Sequence, residues 1–335
     1  MIVNQNISED VKTLGDIEEN RVGIDRSNID FITTLLTSNL YSKPLESFLR
    51  ETVSNAYDSH VEAGTDEHIL LLIEDDVNKN TYTSKAFNIS IRDYGVGVSP
   101  ERFEKIYRNV GSSTKRESND YIGMFGIGRF SCLSCADVAN INSYYNGTKY
   151  SYLMYKNGSG INIDKVSETE GDYKNGLEVS ICYKVPDIYS FTRAIIKLCL
   201  FDKLWIEYRG NNHLLRKTVE AFNSRIIQKY DTFSVCDIMG YDNALGYTNY
   251  FKIGKVLYDI VDEYQYSNML ATKKLLIDIP IGSVGITPNR ENLQLTESSK
   301  SYINGLLSGV NEELKNIAKE ETMKEHTLAD ACEKF

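Results

Sequence analysis

The chain of 335 residues is long enough to bury a sizeable core, and at roughly 150 residues per domain its length suits two domains. Hydrophobic residues at 41% and charged residues at 25% describe a folded, water-soluble chain. The formal charge of -10 argues against broad affinity for phosphodiester backbones, so nucleic acid is not the expected partner.

Residues 1 to 28 are polar with scattered Val and Ile and read as an arm or edge strand. Met1 to Asp10 lacks the basic start and apolar core of a secretion signal, and no apolar run reaches the ~20 residues that span a bilayer. Any membrane association is therefore expected to be peripheral. From Ile29 the apolar residues fall near helical spacing, and Pro44 suits the first turn of a helix ending at Ala63, before Gly64. Strands are expected at His68 to Glu74 and at Phe87 to Arg92, and a short helix at Pro100 to Tyr107. Asn109 to Tyr121, rich in Ser, Gly and charge, has the composition of a lid. A helix should continue from Gly128 to about Ala136, followed by strands at Val138 to Tyr144, Tyr150 to Tyr155, Ile161 to Val166 and Leu177 to Tyr183.

Pro186 to Ser190 marks a boundary. The second unit is expected to hold strands near Lys203 to Tyr208 and Leu275 to Ile279, with helices near Val219 to Lys229 and Ser299 to Glu321. The predicted organisation is an arm (1–28), an α+β domain with helices on one face of a mixed sheet (29–188), a smaller α/β domain (189–320) and a polar tail (321–335). The six cysteines form no compact framework, which suits reduced thiols in a cytoplasm. Cys132 and Cys135 are a lone CxxC with no second pair at zinc-ligand spacing, and read as packed thiols.

Three stretches carry chemistry. Glu51, Asn55 and Asp58 sit at i, i+4 and i+7, so one helix face presents two carboxylates and an amide. Asn55 offers a hard oxygen to Mg²⁺, and Glu51 could orient or deprotonate an attacking water. Asp93 ends an alternating strand, where its carboxylate can accept from the exocyclic amine of adenine, and Gly95 and Gly97 let backbone come close to a flat base. Gly123, Gly126, Ile127 and Gly128 precede an apolar helix, so backbone N–H groups and the positive helix end could hold a triphosphate. Ser112, Ser113, Thr114 and Lys115 in the lid add hydroxyls and a cation. Each stretch alone is weak; in this order they read as one ATP site of the Bergerat type.

The set resembles the GHKL ATPases: gyrase B subunits, the large cytosolic heat-shock chaperone, histidine kinases and MutL. That resemblance implies that Glu51 activates water, Asn55 binds magnesium, Asp93 reads adenine, and Gly123, Gly126 and Gly128 close over the phosphates. It also implies ATP and Mg²⁺ as ligands, a Bergerat sandwich followed by a transducer-like domain of the ribosomal S5 type, and a homodimer formed on ATP binding. Asn289-Arg290-Glu-Asn-Leu-Gln294 resembles the chaperone segment that reaches the γ-phosphate, making Arg290 and Gln294 catalytic candidates, with Lys273 and Lys274 in reserve. Where many members have a Gly-Thr pair, this chain reads Lys174-Asn175-Gly176-Leu177, so Asn175 is the candidate there. His60 lies one turn past the catalytic face and is not expected to accept a phosphoryl group.

A closer similarity is to the phage rapid-lysis A proteins, the rIIA-like family. It is carried by Leu40-Tyr-Ser-Lys-Pro44 through Asp58-Ser-His60, Ser112-Ser-Thr-Lys115, Glu117 to Gly128, and Ile286-Thr-Pro-Asn-Arg290-Glu291. This implies a role in host lysis timing and prophage exclusion, a host-cell cytoplasmic location and a phage or host protein partner. A nucleotide-sensing module with negligible turnover, or a topoisomerase-like subunit acting on DNA, are the alternative readings.

Overall fold

The structure is a computed structural model and describes residues 40–75, 86–107, 128–157, 160–184, 187–237, 249–260, 274–287 and 289–324. The expected N-terminal arm and most of the helix from Ile29 lie outside the described residues, as do the whole lid and Lys273.

The chain divides into two compact units: residues to Ala194 with Phe201–Asn211, and Ile195–Leu200 with Asn212 onward. The first unit opens with helix α1 (Pro44–Ala63), which starts with proline at its first turn and ends where Gly64 takes the left-handed conformation at φ 64. Its strands are β1 (Ile69–Asp75), β2 (Ala86–Arg92), β3 (Val138–Tyr145), β4 (Thr148–Asn157), β5 (Gly160–Glu170), β6 (Gly176–Lys184) and β7 (Leu204–Arg209). They form one sheet in the order β5-β4-β3-β6-β2-β1-β7, antiparallel except for the parallel pair β1 and β7.

Alternation along each strand sorts the apolar residues to one face. Ile206, Leu71, Ile91, Val179, Ile141 and Tyr152 stand opposite one another in a row across six strands. All are buried, each side chain contributing roughly 1.5–3 kcal/mol to the core. Helices α2 (Pro100–Tyr107) and α4 (Ile188–Ile196) pack on this face: Phe103 stacks on Tyr152 at 3.7 Å and Phe191 on Phe87 at 5.1 Å. This is the expected α+β architecture, a mixed sheet covered by helices.

Three local expectations are corrected. The strand expected at Lys203 to Tyr208 in the second unit is β7, which joins the first sheet beside β1. The single helix expected after Gly128 is a 3-10 turn, Gly128–Phe130, followed by a one-turn helix α3 (Cys132–Cys135), so no long helix dipole stands behind Gly128. The helix expected from Val219 to Lys229 is instead α5 (His213–Asn223), begun by Asn212 accepting from Leu215 N–H at 3.0 Å, followed by the edge strand β8 (Ile226–Lys229).

The second unit contains β8, β9 (Phe233–Asp237), β10 (Tyr250–Ile253), β11 (Val256–Asp259) and β12 (Lys274–Asp278) in the order β11-β10-β12-β9-β8. A small ribbon, β13 (Gly285–Ile286) with β14 (Leu293–Gln294), leads to the long helix α6 (Glu297–Lys324). Among the described residues no helix is long and apolar enough to cross a membrane.

Candidate nucleotide site

Helix α1 carries the first group. Glu51 is 6% exposed, Asp58 is fully withdrawn from solvent, and Asn55 between them is half-buried, the most accessible of the three. Arg50 clamps Glu51 from the side: its Nη2 lies 3.3 Å and its Nε 3.4 Å from Oε1, with Nη2 also 3.4 Å from Ser47 Oγ. The other carboxylate oxygen, Oε2, faces Gly128, where an added Cβ would meet it at 2.3 Å. The fold thus brings the first helix and the last glycine of the third stretch into contact, which sequence spacing could only suggest.

Asp93 continues the inward alternation of β2, so its side chain faces α1. Its N–H donates to Leu177 O at 2.9 Å, and Gly95 N–H donates to Oδ1 at 2.9 Å. Ser59 on α1 hydrogen-bonds the same carboxylate and accepts from Val96 N–H at 3.2 Å. Burial holds the Asp93 carboxyl at about 6, above the usual carboxylate range, despite these donors and the nearby Arg92 guanidinium. Tyr94 N–H donates to His60 Nε2 at 2.8 Å, which requires the neutral imidazole, and burial accordingly lowers the His60 pKa. His60 is therefore a buried acceptor that pins the Asp93 turn.

The glycines of this turn answer to protein packing. A Cβ on Gly95 would strike Ser59 Oγ at 2.1 Å and its backbone at 2.6 Å; one on Gly97, at φ 69, would strike Tyr144 O at 2.2 Å. Ser143 fixes the exit of the turn, its hydroxyl donating to Val98 O at 2.7 Å and accepting from Val98 N–H at 3.0 Å. Gly176 sits at φ 135 with the Asp93 carbonyl 2.0 Å from where its Cβ would stand. Both contacts are with backbone that cannot rotate away. Gly176→Ala is expected to lose roughly 3 kcal/mol or more of stability, read as a shifted midpoint in urea unfolding; an unchanged midpoint refutes the packing role.

Asn175, beside Gly176, uses its Oδ1 to accept from Asn146 N–H at 2.9 Å. Arg92 reaches across the same edge, donating to the Asp93 carbonyl and to Lys174 O at 2.8 Å while lying over the Tyr144 ring at 4.0 Å. In the second unit, Arg290 is buried at 7% exposure with a left-handed φ of 55, in the turn between β13 and β14, where its N–H donates to Thr287 O at 2.8 Å. Gln294 is exposed on β14. Lys274 begins β12. Ser112, Ser113, Lys115, Gly123, Gly126 and Ile127 lie outside the described residues.

Sequence reading passed over Arg50, Ser59 and Ser143. The first adjoins Glu51 and was open to notice; the serines acquire their roles only through contacts across the fold. Cys132 and Cys135 lie on α3, and burial pushes both thiols up to about 12.

Residues 41–174, which contain α1, the Asp93 turn and Gly128, match the family described as histidine kinase-, DNA gyrase B- and HSP90-like ATPase. The helix-covered mixed sheet of the first unit is consistent with the ATP-binding fold of the GHKL type to which that family belongs. The chain is also similar to the chaperone protein HtpG of Anaplasma marginale, 26% identical over 190 residues, covering 50% of this chain and 27% of that protein. The HtpG of Alkaliphilus metalliredigens is 30% identical over 131 residues, 35% of this chain and 21% of that protein. That of Frankia casuarinae is 28% identical over 196 residues, 49% of this chain and 28% of that protein. The matched segments thus span about a quarter of the length of these relatives.

Proposed function

We propose that the chain binds ATP with Mg²⁺ against α1 and hydrolyses it, with Glu51 as the group that orients and deprotonates water. The observation that carries this reading is the contact of Glu51 with Gly128: a carboxylate oxygen sits against the backbone of a glycine stretch suited to phosphate. Arg50 holds the other oxygen, so the carboxylate has one fixed orientation. Asp93 supplies a buried acceptor for the adenine amine.

Asn55 is the residue to hold Mg²⁺. Among the described residues no group of three or more His, Cys, Asp or Glu side chains gathers to cage a metal. Mg²⁺ usually takes one or two protein oxygens together with substrate phosphates and water. When bound, Mg²⁺ supplies charge neutralisation at the phosphate oxygens.

Gly128→Ala tests the contact directly. The new methyl displaces the tip of the Glu51 side chain, a movable group, so the fold should persist while phosphate release drops about 10-fold or more. Full turnover in this variant would remove the main support for the site. Arg290→Ala and Gln294→Ala in the same assay test the roles their resemblance implies.

A second reading, a nucleotide sensor without appreciable turnover, draws on the Arg50 clamp, which keeps one Glu51 oxygen engaged. Phosphate release compared with nucleotide-dependent dimerisation by light scattering separates the two. Dimerisation with Mg-ATP and no phosphate release favours the sensor. Placement among the rapid-lysis A proteins, acting with a phage or host protein partner, is supported by the residue stretches from Leu40 to Glu291 that carry the resemblance.

A further inference from the structure

Arg92 lies on the face of the first sheet turned away from α1. Side chains alternate along β2, so Ile91 and Asp93 point to the helix-covered face and Arg92 to the other, in register with Glu178 on β6. There its guanidinium bridges two segments far apart in the chain: Nη1 donates to the Asp93 carbonyl, while Nη2 donates to the carbonyls of Lys174 at 2.8 Å and Asn175 at 3.4 Å. The same group lies over two rings, 4.0 Å from the centroid of Tyr144 and 4.6 Å from that of Tyr94. Glu178 fixes Tyr144 in turn, its carboxylate accepting from the Tyr144 hydroxyl at 2.9 Å, from Asn142 Nδ2 at 3.0 Å and from Ser90 Oγ at 2.8 Å. Gly176 completes the arrangement, since a side chain there would strike both the Asp93 carbonyl and Arg92 Nη1. A planar fork of donors can grip several carbonyls at once and stack on rings, which an ammonium cannot.

We propose that Arg92 is a positioning residue for base recognition: from behind the sheet it fixes the main chain of Asp93 to the 174–176 loop and sets its positive charge near the carboxylate that reads the adenine amine. The proposal rests on the nucleotide reading above. Arg92 does not touch the base itself, because its side chain and that of Asp93 leave the strand on opposite faces. The groups around the Asp93 carboxyl have distinct parts. Gly95 N–H and Ser59 from α1 are neutral donors, His60 from α1 is the neutral acceptor of Tyr94 N–H, and Tyr107 from α2 is a phenol whose ionisation burial pushes up. Arg92 contributes a full charge. Burial raises the Asp93 carboxyl to about 6 while the guanidinium pulls it down, so loss of that charge lets burial carry it higher.

The test measures ATP binding to the whole chain by calorimetry across pH for the parent, Arg92→Gln and Arg92→Lys, with a urea midpoint recorded for each. Parent affinity should fall as pH drops through about 6, where Asp93 loses its charge. Arg92→Gln should bind about 10-fold more weakly at pH 7.5, the scale of a misplaced hydrogen bond to a charged group. Its fall in affinity should also move up by roughly one unit, because an adjacent opposite charge is gone. Arg92→Lys keeps the charge without the planar fork, so it should hold the fall near 6 and recover only part of the affinity. The ionisation of ATP itself is common to all three and cancels. Parent affinity with an unmoved fall in Arg92→Gln overturns the proposal, and so does weaker binding with the fall still at 6, the mark of a merely structural role. Arg92→Lys binding as tightly as the parent overturns it too, which keeps the test decisive should Arg92→Gln not fold. A parent chain that binds no ATP refutes the nucleotide reading itself, and this role with it.

Discussion

Replacing Glu51 with alanine is expected to lower ATP turnover by about 100-fold or more while leaving nucleotide affinity within a few-fold, since a positioned general base contributes roughly 10²–10⁴ to rate. The separation follows from geometry. Glu51 lies against Gly128, where phosphate is expected, while the adenine acceptor is Asp93 on another element. The alanine variant also strips Arg50 of a partner at 3.3 Å in a site where the two side chains are only 13% and 8% exposed. A stability loss could therefore masquerade as a catalytic one. Glu51→Gln removes that ambiguity, because its amide oxygen still accepts from Arg50 but cannot take a proton from water. Both variants should bind ATP by calorimetry, fail to release phosphate, and accumulate any ATP-dependent dimer in light scattering. Turnover at the parent rate in Glu51→Gln would falsify the assignment of Glu51 as base.

The second large effect is on binding. Asp93→Asn should weaken ATP by about 10- to 100-fold, the worth of a hydrogen bond to a charged acceptor, because the amide can offer a donor where the adenine amine needs an acceptor. The fold should survive, since the asparagine oxygen can still accept from Gly95 N–H. The pH dependence has a definite sign. With its carboxyl at about 6 in the fold, Asp93 loses its charge as pH falls through 6, and parent ATP affinity should fall with it, whereas Asp93→Asn should show no such step.

Stability runs the opposite way. A carboxyl raised in the folded state stabilises the fold most below its unfolded value of 3.8, and that contribution is lost as pH rises through about 6. At neutral pH the ionised group costs the empty fold roughly 3 kcal/mol. Asp93→Asn is thus expected to be at least as stable as the parent at pH 7.5 without nucleotide while binding ATP worse. A variant both unstable and weak in binding would mean that the carboxylate serves the fold.

Much of the first unit was legible because its signals are local. Proline at the start of α1, glycine at its end, and alternation in β2 and β3 each act within a few residues, and the structure places these elements within a residue or two of expectation. Strand β8 was not legible: Ile226 is 60% exposed, its four residues carry no buried alternation, and only backbone pairing with β9 makes them a strand. The alternation of Leu204 and Ile206 announces a buried face but cannot say which sheet; the parallel register with Ile69 and Leu71 decides that.

The sequence by itself determined the chemistry on offer: a helix face bearing Glu51, Asn55 and Asp58, a strand-ending Asp93, and glycines where a phosphate could be held. Side-chain spacing along a helix or strand is set by its own geometry, so this needed no tertiary information. Only the tertiary structure decided the arrangement: that Gly128 abuts Glu51, that Ser59 and His60 pin the Asp93 turn, and that Gly95, Gly97 and Gly176 are glycines because other backbone passes within a methyl's width of them. These are contacts between residues far apart in the chain, and their distances are fixed by packing of the whole core rather than by any local run of residues.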